Sequence, residues 1–240
     1  MRGVIFDIEG KFAHFRKIYT NSSSLSYLVP PRTTLQGIIA AMLGYERDSY
    51  YTKLDKELFI AVKKNYPTYM MTHTLNYIKA VSTGELSKPK EHTQIPFEVI
   101  TSRSKVSYRV YVGGDSFSDM DMLIERLKTN KYAFPPTLGT AFFLADVEFV
   151  SEVDFQTVIV DEYVPISTVI NSDAVYELKM DEMVLLKEKM PQAFGDDRTI
   201  KPAESYFIES EGRPVNIKLS PEYSCWLAEY CNNKEYVMFM

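Results

Sequence analysis

The chain has 240 residues, of which 45% are hydrophobic and 25% are charged, so it is long and apolar enough to bury a core in one large domain or two small ones. That charged fraction is ordinary for a soluble globular protein. No apolar run approaches the roughly 18 residues of a membrane helix. Asp7 and Glu9 interrupt the first apolar stretch, so we expect no signal peptide, no membrane contact and a cytoplasmic location. The spacing of Cys225 and Cys231 matches neither a redox nor a zinc motif and predicts two reduced thiols.

The net charge of −5 argues at first against a nucleic-acid ligand, but the charges are distributed unevenly along the chain. Residues 1–110 carry 16 Lys and Arg against 9 Asp and Glu, a balance of +7, whereas the rest of the chain has a balance of −12. Because salt screens charges beyond roughly 8 Å, only the local field matters to a bound polyanion. The basic half can therefore hold RNA while the acidic half meets protein. The alternative is that the two halves do not correspond to two faces of the molecule.

Hydrophobic periodicity and the positions of Gly and Pro predict the secondary structure of the first 150 residues. In chain order we first expect a strand at 3–9, a polar loop at 10–28, a helix with its body at 35–43 and a strand at 57–64. A long hairpin follows, with arms at 69–80 and 93–100 and a tip at 83–91. The last three elements are a strand at 106–112, a helix that starts near 120, and a strand at 141–150. Thr33 or Thr34 can cap the first helix at its start, and Gly44 suits its end.

The order of these elements predicts an α+β fold. Strand, helix, strand, strand, helix, strand is a ferredoxin-like βαββαβ domain, here at 1–150, with the hairpin inserted as a thumb at about 68–100. Residues 151–240 predict a β-rich C-terminal extension. Its expected short strands lie at 158–160, 176–180, 183–186, 206–208 and 215–219.

The predicted loop after the first strand alternates cations with aromatic rings. Its candidate RNA-binding residues are His14, Phe15, Arg16, Lys17 and Tyr19. Phosphates need positive charge and unpaired bases need flat faces to stack on, which is why this pattern favours RNA. The alternative is a solvated loop with buried Phe rings. Arg32 adds a cation at a helix start, where backbone N–H groups also favour an anion, unless it serves only as a salt bridge.

The hairpin and the segment after it carry further cations. The candidate RNA-binding residues here are Lys88, Lys90, His92, Arg103 and Lys105. A protruding basic hairpin can wedge between bases or clamp a backbone, but a solvated arm or a protein-docking arm is equally compatible with the pattern. Gly139 lies in a small-residue turn, where glycine allows the backbone to approach a ligand closely or simply serves the turn.

Catalytic motifs are sparse. None of the three histidines, His14, His73 and His92, has metal-ligand spacing to a second His or Cys, and no nucleotide-binding fingerprint is present, so we expect neither a metal nor a cofactor. RNA cleavage without a metal would need a base, an acid and a cation. His92 near Lys90, or His14 near Tyr19, are the candidates for that alternative.

Several separated stretches together resemble the Cas five family of CRISPR-associated RAMP proteins, the subunits of type I Cascade that bind the 5′ handle of the guide RNA (crRNA). The most specific similarity is Val29–Gly44, which reads VPPRTTLQGIIAAMLG. The others are Val4–Gly10 with Ala13–Arg16, Gln94–Ile100, Pro136–Gly139 and Gly212–Val215. The order and spacing of these short stretches carry the resemblance, which is closest to subtype I-B.

The resemblance implies a ferredoxin-like RNA-binding domain with a hairpin thumb. It also implies contacts with the crRNA 5′ handle, with the Cascade backbone subunit and with the large subunit, and target DNA as an indirect partner. In one subtype the family member cuts precursor RNA with Tyr, Lys and His, and this sequence lacks an adjacent Lys-His pair. We therefore expect a non-catalytic RNA-binding subunit. A metal-independent endoribonuclease and a protein-only assembly scaffold are the alternatives.

Overall fold

The structure is a computed structural model that describes residues 1–159, 161–180 and 182–240. It is a mixed fold, rich in sheet and with few helices. The helices are α1 (Arg32–Leu43), α2 (Tyr51–Glu57), α3 (Thr83–Ser87) and α4 (Met120–Thr129). The strands up to residue 154 are β1 (Arg2–Gly10), β2 (Phe15–Arg16), β3 (Ser26–Tyr27), β4 (Phe59–Lys64), β5 (Tyr69–Lys79), β6 (Glu91–Thr101), β7 (Val106–Gly113) and β8 (Asp146–Asp154). Each helix in the described ranges is too short to cross a bilayer.

Four strands form the central sheet in the order β4-β7-β1-β8, and every neighbouring pair is antiparallel. Along the chain, these four strands and the helices α1 and α4 follow one another in the order β1, α1, β4, β7, α4, β8. This is the predicted order of strand, helix, strand, strand, helix, strand. The hairpin made by β5 and β6 is inserted between β4 and β7, with the short helix α3 at its tip.

The two faces of the central sheet are covered by different parts of the chain. Because side chains alternate along a strand, Val4, Phe6 and Ile8 of β1 face α1 and α4 in the main core. Ile5 of β1 faces the other way and packs with Tyr111 in a second core that includes residues of the C-terminal part of the chain. The central sheet is therefore a buried middle layer.

The C-terminal part of the chain contains two further sheets. Its strands are β9 (Gln156–Val158), β10 (Val164–Ile166), β11 (Ile170–Asn171), β12 (Val175–Leu178), β13 (Leu185–Pro191), β14 (Ala203–Glu209), β15 (Val215–Leu219), β16 (Cys225–Tyr230) and β17 (Asn233–Val237). A six-stranded sheet has the order β12-β15-β10-β17-β16-β9, and a three-stranded sheet has the order β11-β14-β13. The strand predicted at 158–160 overlaps β9 at Val158, where β9 ends. The last residue of the prediction, Val160, lies outside the described residues.

The structure differs from the prediction at four places in the first 150 residues. Helix α1 begins at Arg32, directly after Pro31, so neither threonine caps it. Helix α2 was not predicted, because its sequence YTKLDKE is short and mostly polar. The fourth strand begins at Asp146 rather than 141, because the apolar run before it forms a turn closed by a bridge between Thr137 and Leu144. The predicted loop at 10–28 also contains the two-residue strands β2 and β3, which pair.

A buried polar network joins the central sheet to strand β17. The Glu235 carboxylate accepts hydrogen bonds from Tyr111 and Tyr230 and pairs with Lys63. Burial opposes its ionisation, but Lys63 outweighs that cost and lowers the pKa of Glu235. Beside it, Arg109 holds both oxygens of Asp7 at 2.8 Å. The network fixes the C-terminal hairpin β16–β17 on the sheet.

We expect the substitution Glu235→Gln to lower the free energy of unfolding by about 3 kcal/mol, because it leaves Lys63 without its counter-charge in a mostly buried position. The matched control is Glu229→Gln on the same hairpin. Its partner Lys234 and Glu229 itself are both more than half exposed, so the change should be within about 0.5 kcal/mol of zero. Urea unfolding of the two variants measures both values, and equal losses would contradict the role given to Glu235.

Candidate nucleic-acid interface

The first loop, residues 11–28, lies along the outer edge of strand β6. Ala13 and Ile100 exchange two backbone hydrogen bonds, of 3.0 and 2.8 Å. Ser24 donates to the Pro96 carbonyl at 2.8 Å and accepts from the Glu98 N–H at 2.9 Å. The loop therefore extends the base of the hairpin like a third strand, and the structure brings these two predicted segments together.

The side chain of His14 stabilises, from the interior, the junction between the first loop and strand β6. Its ring is buried and stacks on Phe97, with 4.2 Å between ring centroids. Because the Glu98 carbonyl can only accept, Nδ1 carries the proton and donates to it at 2.7 Å, which leaves Nε2 to accept from the Ser24 hydroxyl at 3.1 Å. Burial lowers the pKa of His14. The neighbouring Phe15 is also buried, against Tyr108. Both predicted RNA contacts thus lie in the interior.

Position 139 needs a glycine, because the turn between Thr137 and Leu144 lies directly against the first loop there. Its φ of +99° lies in the region that favours glycine, and a Cβ at this position would come within 1.8 Å of the His14 carbonyl oxygen. His14 in turn donates its N–H to the Leu138 carbonyl at 3.0 Å. The sequence offered two interpretations of Gly139, a close approach of the backbone to a ligand or a role in the turn alone; in the structure Gly139 approaches the first loop of this chain.

The remaining predicted residues of the first loop reach the surface, but a carboxylate holds two of them. Arg16 is exposed and donates to the Thr20 carbonyl at 3.3 Å. Lys17 Nζ lies 2.6 Å from one Glu188 oxygen, and the Tyr19 hydroxyl donates to the other at 3.2 Å. Burial opposes the charge of Lys17, yet Glu188 raises the pKa of its amine. The sequence has no local signal for Glu188, because it lies 171 residues after Lys17.

Arg32 does not join the loop and the hairpin. It is 5% exposed, and its guanidinium pairs with Asp55 at 2.6 Å while it also donates to the carbonyls of Gln192 and Leu58 at 3.0 Å. Arg32 is therefore engaged inside the protein and is not exposed together with the cations of the loop and the hairpin. The salt bridge that the sequence left open as the alternative is the arrangement found.

The hairpin projects from the body with its cations in solvent. Strands β5 and β6 pair continuously from Tyr69 opposite Thr101 to Lys79 opposite Glu91. Lys88, Lys90 and His92 near the tip are exposed, as is Arg103 after β6, whereas Lys105 pairs with Glu9. Over the residues that the structure describes, no carboxylate pairs with Lys11, Arg16, Lys88, Lys90 or Arg103. We call the surface of Lys11, Arg16, Lys88, Lys90, His92 and Arg103 the basic ridge.

The face of the central sheet opposite the helices is closed. Four-stranded sheets of this kind can bind RNA by stacking bases on strand aromatics. Here the corresponding ring, Tyr111 of β7, is 0% exposed because Tyr230 and Val237 of the C-terminal hairpin cover it. The closed sheet face leaves the basic ridge, which the first loop and the hairpin supply, as the candidate nucleic-acid surface. Across residues 1–159, 161–180 and 182–240, no group of three acidic, His or Cys side chains is arranged to hold a metal ion.

Replacing Gly139 by Ala should lower the free energy of unfolding by about 2–4 kcal/mol, because the added methyl group meets the His14 carbonyl in a strained backbone conformation. Gly84→Ala is the matched control, since the closest atom to its added Cβ is 4.0 Å away and it lies in helix α3. That change should be neutral or slightly stabilising. Chemical denaturation compares the two, and a tolerated Gly139→Ala would contradict the close approach.

The junction should also weaken in acid through His14. In the folded protein the pKa of His14 is lowered below the ordinary value of 6.5, which applies to the unfolded chain. At a pH between the folded pKa and 6.5, the unfolded chain therefore binds a proton at His14 that the folded chain does not bind. Stability is therefore full above about pH 6.5 and falls as the pH drops through this window. Urea unfolding between about pH 7.5 and pH 5.5 should show a smaller acid loss for His14→Gln than for the wild type. His92→Gln, on the exposed strand, should follow the wild type; identical profiles for all three would refute the linkage.

Comparison with known proteins agrees with this architecture. Residues 3–112 match the model of a family described as CRISPR-associated protein (Cas_Cas5). No curated protein matches the sequence at a significant level. Among solved structures, a chain of a CRISPR RNA-guided surveillance complex is similar with a TM-score of 0.53 at 16% identity, covering 90% of this chain and 91% of that chain.

Two further structures share the fold at similar distance. A CRISPR protein from Archaeoglobus fulgidus has a TM-score of 0.56 at 13% identity, with 98% of each chain covered. A chain of the Type III-B Cmr-beta complex bound to cognate target RNA and AMPPnP has a TM-score of 0.55 at 13% identity, covering 88% of this chain and 86% of that chain. Residues 3–112 are thus similar to this family of CRISPR-associated proteins, and the fold shared with the three solved structures extends along most of the chain.

Proposed function

We propose that this protein is a non-catalytic, RNA-binding subunit of a type I CRISPR Cascade complex, of subtype I-B, and that it grips the 5′ handle of the guide RNA with the basic ridge. The observation that carries the proposal is the set of exposed cations along the first loop and the hairpin that lack carboxylate partners in the described ranges. Exposed Lys and Arg side chains that are free of carboxylates can pair with the phosphates of an RNA backbone.

The architecture supports the same assignment. The strand and helix order with the antiparallel sheet β4-β7-β1-β8 supports our inference of a ferredoxin-like domain at residues 1–150, with 151–240 as its extension. One structure of similar fold comes from an RNA-guided surveillance complex and another from a complex with target RNA. In such an assembly the acidic C-terminal part would face the backbone and large subunits, and target DNA would be met indirectly.

A metal-independent endoribonuclease is the second candidate, and the geometry offers it little. Both ring nitrogens of His14 are engaged inside the protein, so this imidazole is not free to act as a base on RNA. His92 and Lys90 lie exposed near the tip of a two-stranded ribbon, where both side chains are in solvent. Precursor repeat RNA incubated with the protein in EDTA should remain intact, and discrete cleavage products would establish the enzymatic alternative.

Reversing charge at the hairpin tip tests the RNA-binding proposal. We expect the double substitution Lys88→Glu and Lys90→Glu to weaken binding of handle-containing RNA by roughly tenfold or more. The slope of log affinity against log salt concentration should shrink by roughly 0.7 for each phosphate that the variant no longer neutralises. Fluorescence anisotropy over a salt series measures both quantities.

The matched control carries the same change of charge on the C-terminal six-stranded sheet. Lys218→Glu with Lys234→Glu should leave both affinity and salt slope near the wild-type values. Equal losses of affinity in the two double variants would indicate a nonspecific effect of net charge and would count against the ridge. If the hairpin variant binds RNA normally but no longer assembles with the other subunits, the protein is a scaffold instead.

A further inference from the structure

Three aromatic rings are left exposed beside the base of the hairpin. Phe12 of the first loop is 38% exposed, Tyr69 at the start of β5 is 45% exposed, and Phe142 in the turn before β8 is 69% exposed. Single exposed rings are common on protein surfaces, but rings that converge from three separate segments call for a partner.

A series of contacts makes these rings neighbours. The ring of Phe143 lies 5.8 Å from that of Phe12 and 4.7 Å from that of Phe142, so it connects the two. Tyr69 lies opposite Thr101 in the hairpin, on the same face of the ribbon, and the Thr101 hydroxyl is 3.4 Å from the Lys11 carbonyl oxygen. Lys11 directly precedes Phe12. The rings therefore follow one another along one surface, which we call the ring platform: Phe12, Tyr69 and Phe142.

The turn that carries Phe142 is held in place rather than loose. Leu138 donates its N–H to the Phe143 carbonyl at 2.8 Å, and Phe143 donates to the Thr140 carbonyl at 2.9 Å. Gly139 packs this turn against the first loop. Phe142 is thus presented to solvent from a fixed backbone, and little conformational entropy would be lost when a ligand covers its ring.

Charge distinguishes between the kinds of partner. Lys11 and Arg103, which flank the platform, have no ion pair with any residue that the structure describes. The centres of protein–protein interfaces are depleted in Lys, because an unpaired ammonium is costly to bury. Cations alternating with exposed rings are instead the pattern of surfaces that bind single-stranded nucleic acid, where phosphates meet the charges and bases stack on the rings.

We propose that Phe12, Tyr69 and Phe142 form a stacking platform for unpaired bases of a single-stranded RNA whose phosphates lie against Lys11 and Arg103. The inference rests on the proposed function, and it deepens that function by adding base contacts to the phosphate contacts of the basic ridge. Because every base has a flat face, the platform binds bases without selecting among them.

Two labelled probes of equal length and charge separate stacking from phosphate binding: oligoadenylate, and the matching oligomer of abasic ribose phosphates. The 240-residue chain should bind oligoadenylate more tightly. Phe142→Ala and Tyr69→Ala should each weaken oligoadenylate binding at least about fivefold and leave abasic binding and the salt slope unchanged. Lys11→Gln should weaken binding of both probes. Tyr176→Ala removes a ring that is also exposed, on the distant strand β12, and should change neither.

Each other outcome overturns a defined part of the account. If the wild type binds both probes equally, or the ring variants lose affinity for both, the platform is refuted while the basic ridge stands. If the wild type binds neither probe, the proposed function and the platform fail together. If Phe142→Ala binds RNA normally but no longer associates with the other subunits, the rings are a protein-docking surface and the platform is refuted.

Discussion

The backbone pairing between the first loop and the outer edge of β6 is the interaction on which the candidate site depends. A hairpin of two strands is marginally stable in water when it has no further support. Here its base gains a third segment through the paired Ala13 and Ile100, and a buried His14 locks that segment from inside. Without this pairing, the cations of the loop and of the hairpin would lie on two independently moving parts.

The glycine turn adds a second constraint to the same junction. Because Gly139 lets the turn approach the His14 carbonyl, the loop, the hairpin and the segment before β8 meet at one place. This meeting explains why residues far apart in sequence, such as Phe12 and Phe142, come to share a surface. The same packing separates two roles: small or buried residues hold the junction, while exposed cations and rings surround it.

The C-terminal sheet decides which surface is left for a ligand. Its hairpin β16–β17 covers the face of the central sheet that lies opposite the helices, and Glu235 anchors it through Lys63, Tyr111 and Tyr230. A sheet that would otherwise offer strand aromatics to bases becomes an inner layer. We propose that a polyanion then binds at the edge formed by the first loop and the hairpin, where the exposed Lys11, Arg16 and Arg103 have no ion pair with any described residue.

Local sequence patterns predicted the long elements of the first 150 residues but not the short ones, such as α2, and not the direction of individual side chains. Alternation and the Pro and Gly positions predicted the hairpin within two residues at each strand end, and Gly44 ends α1 as expected. The burial of His14 and Arg32 was not predictable in this way, because their partners Glu98 and Gln192 lie 84 and 160 residues away. The start of β8 was predicted too early because the apolar residues before it include an exposed ring, Phe142. Local hydrophobicity does not distinguish such a ring from a core residue.

Photo-crosslinking of the full-length protein to handle-containing guide RNA, followed by peptide mapping, tests most directly the claim that RNA follows the junction of loop and hairpin. The account predicts crosslinked peptides from residues 11–20, 69–105 and 140–145. Crosslinks confined to the C-terminal sheets, or to the helices on the far side of the central sheet, would contradict it.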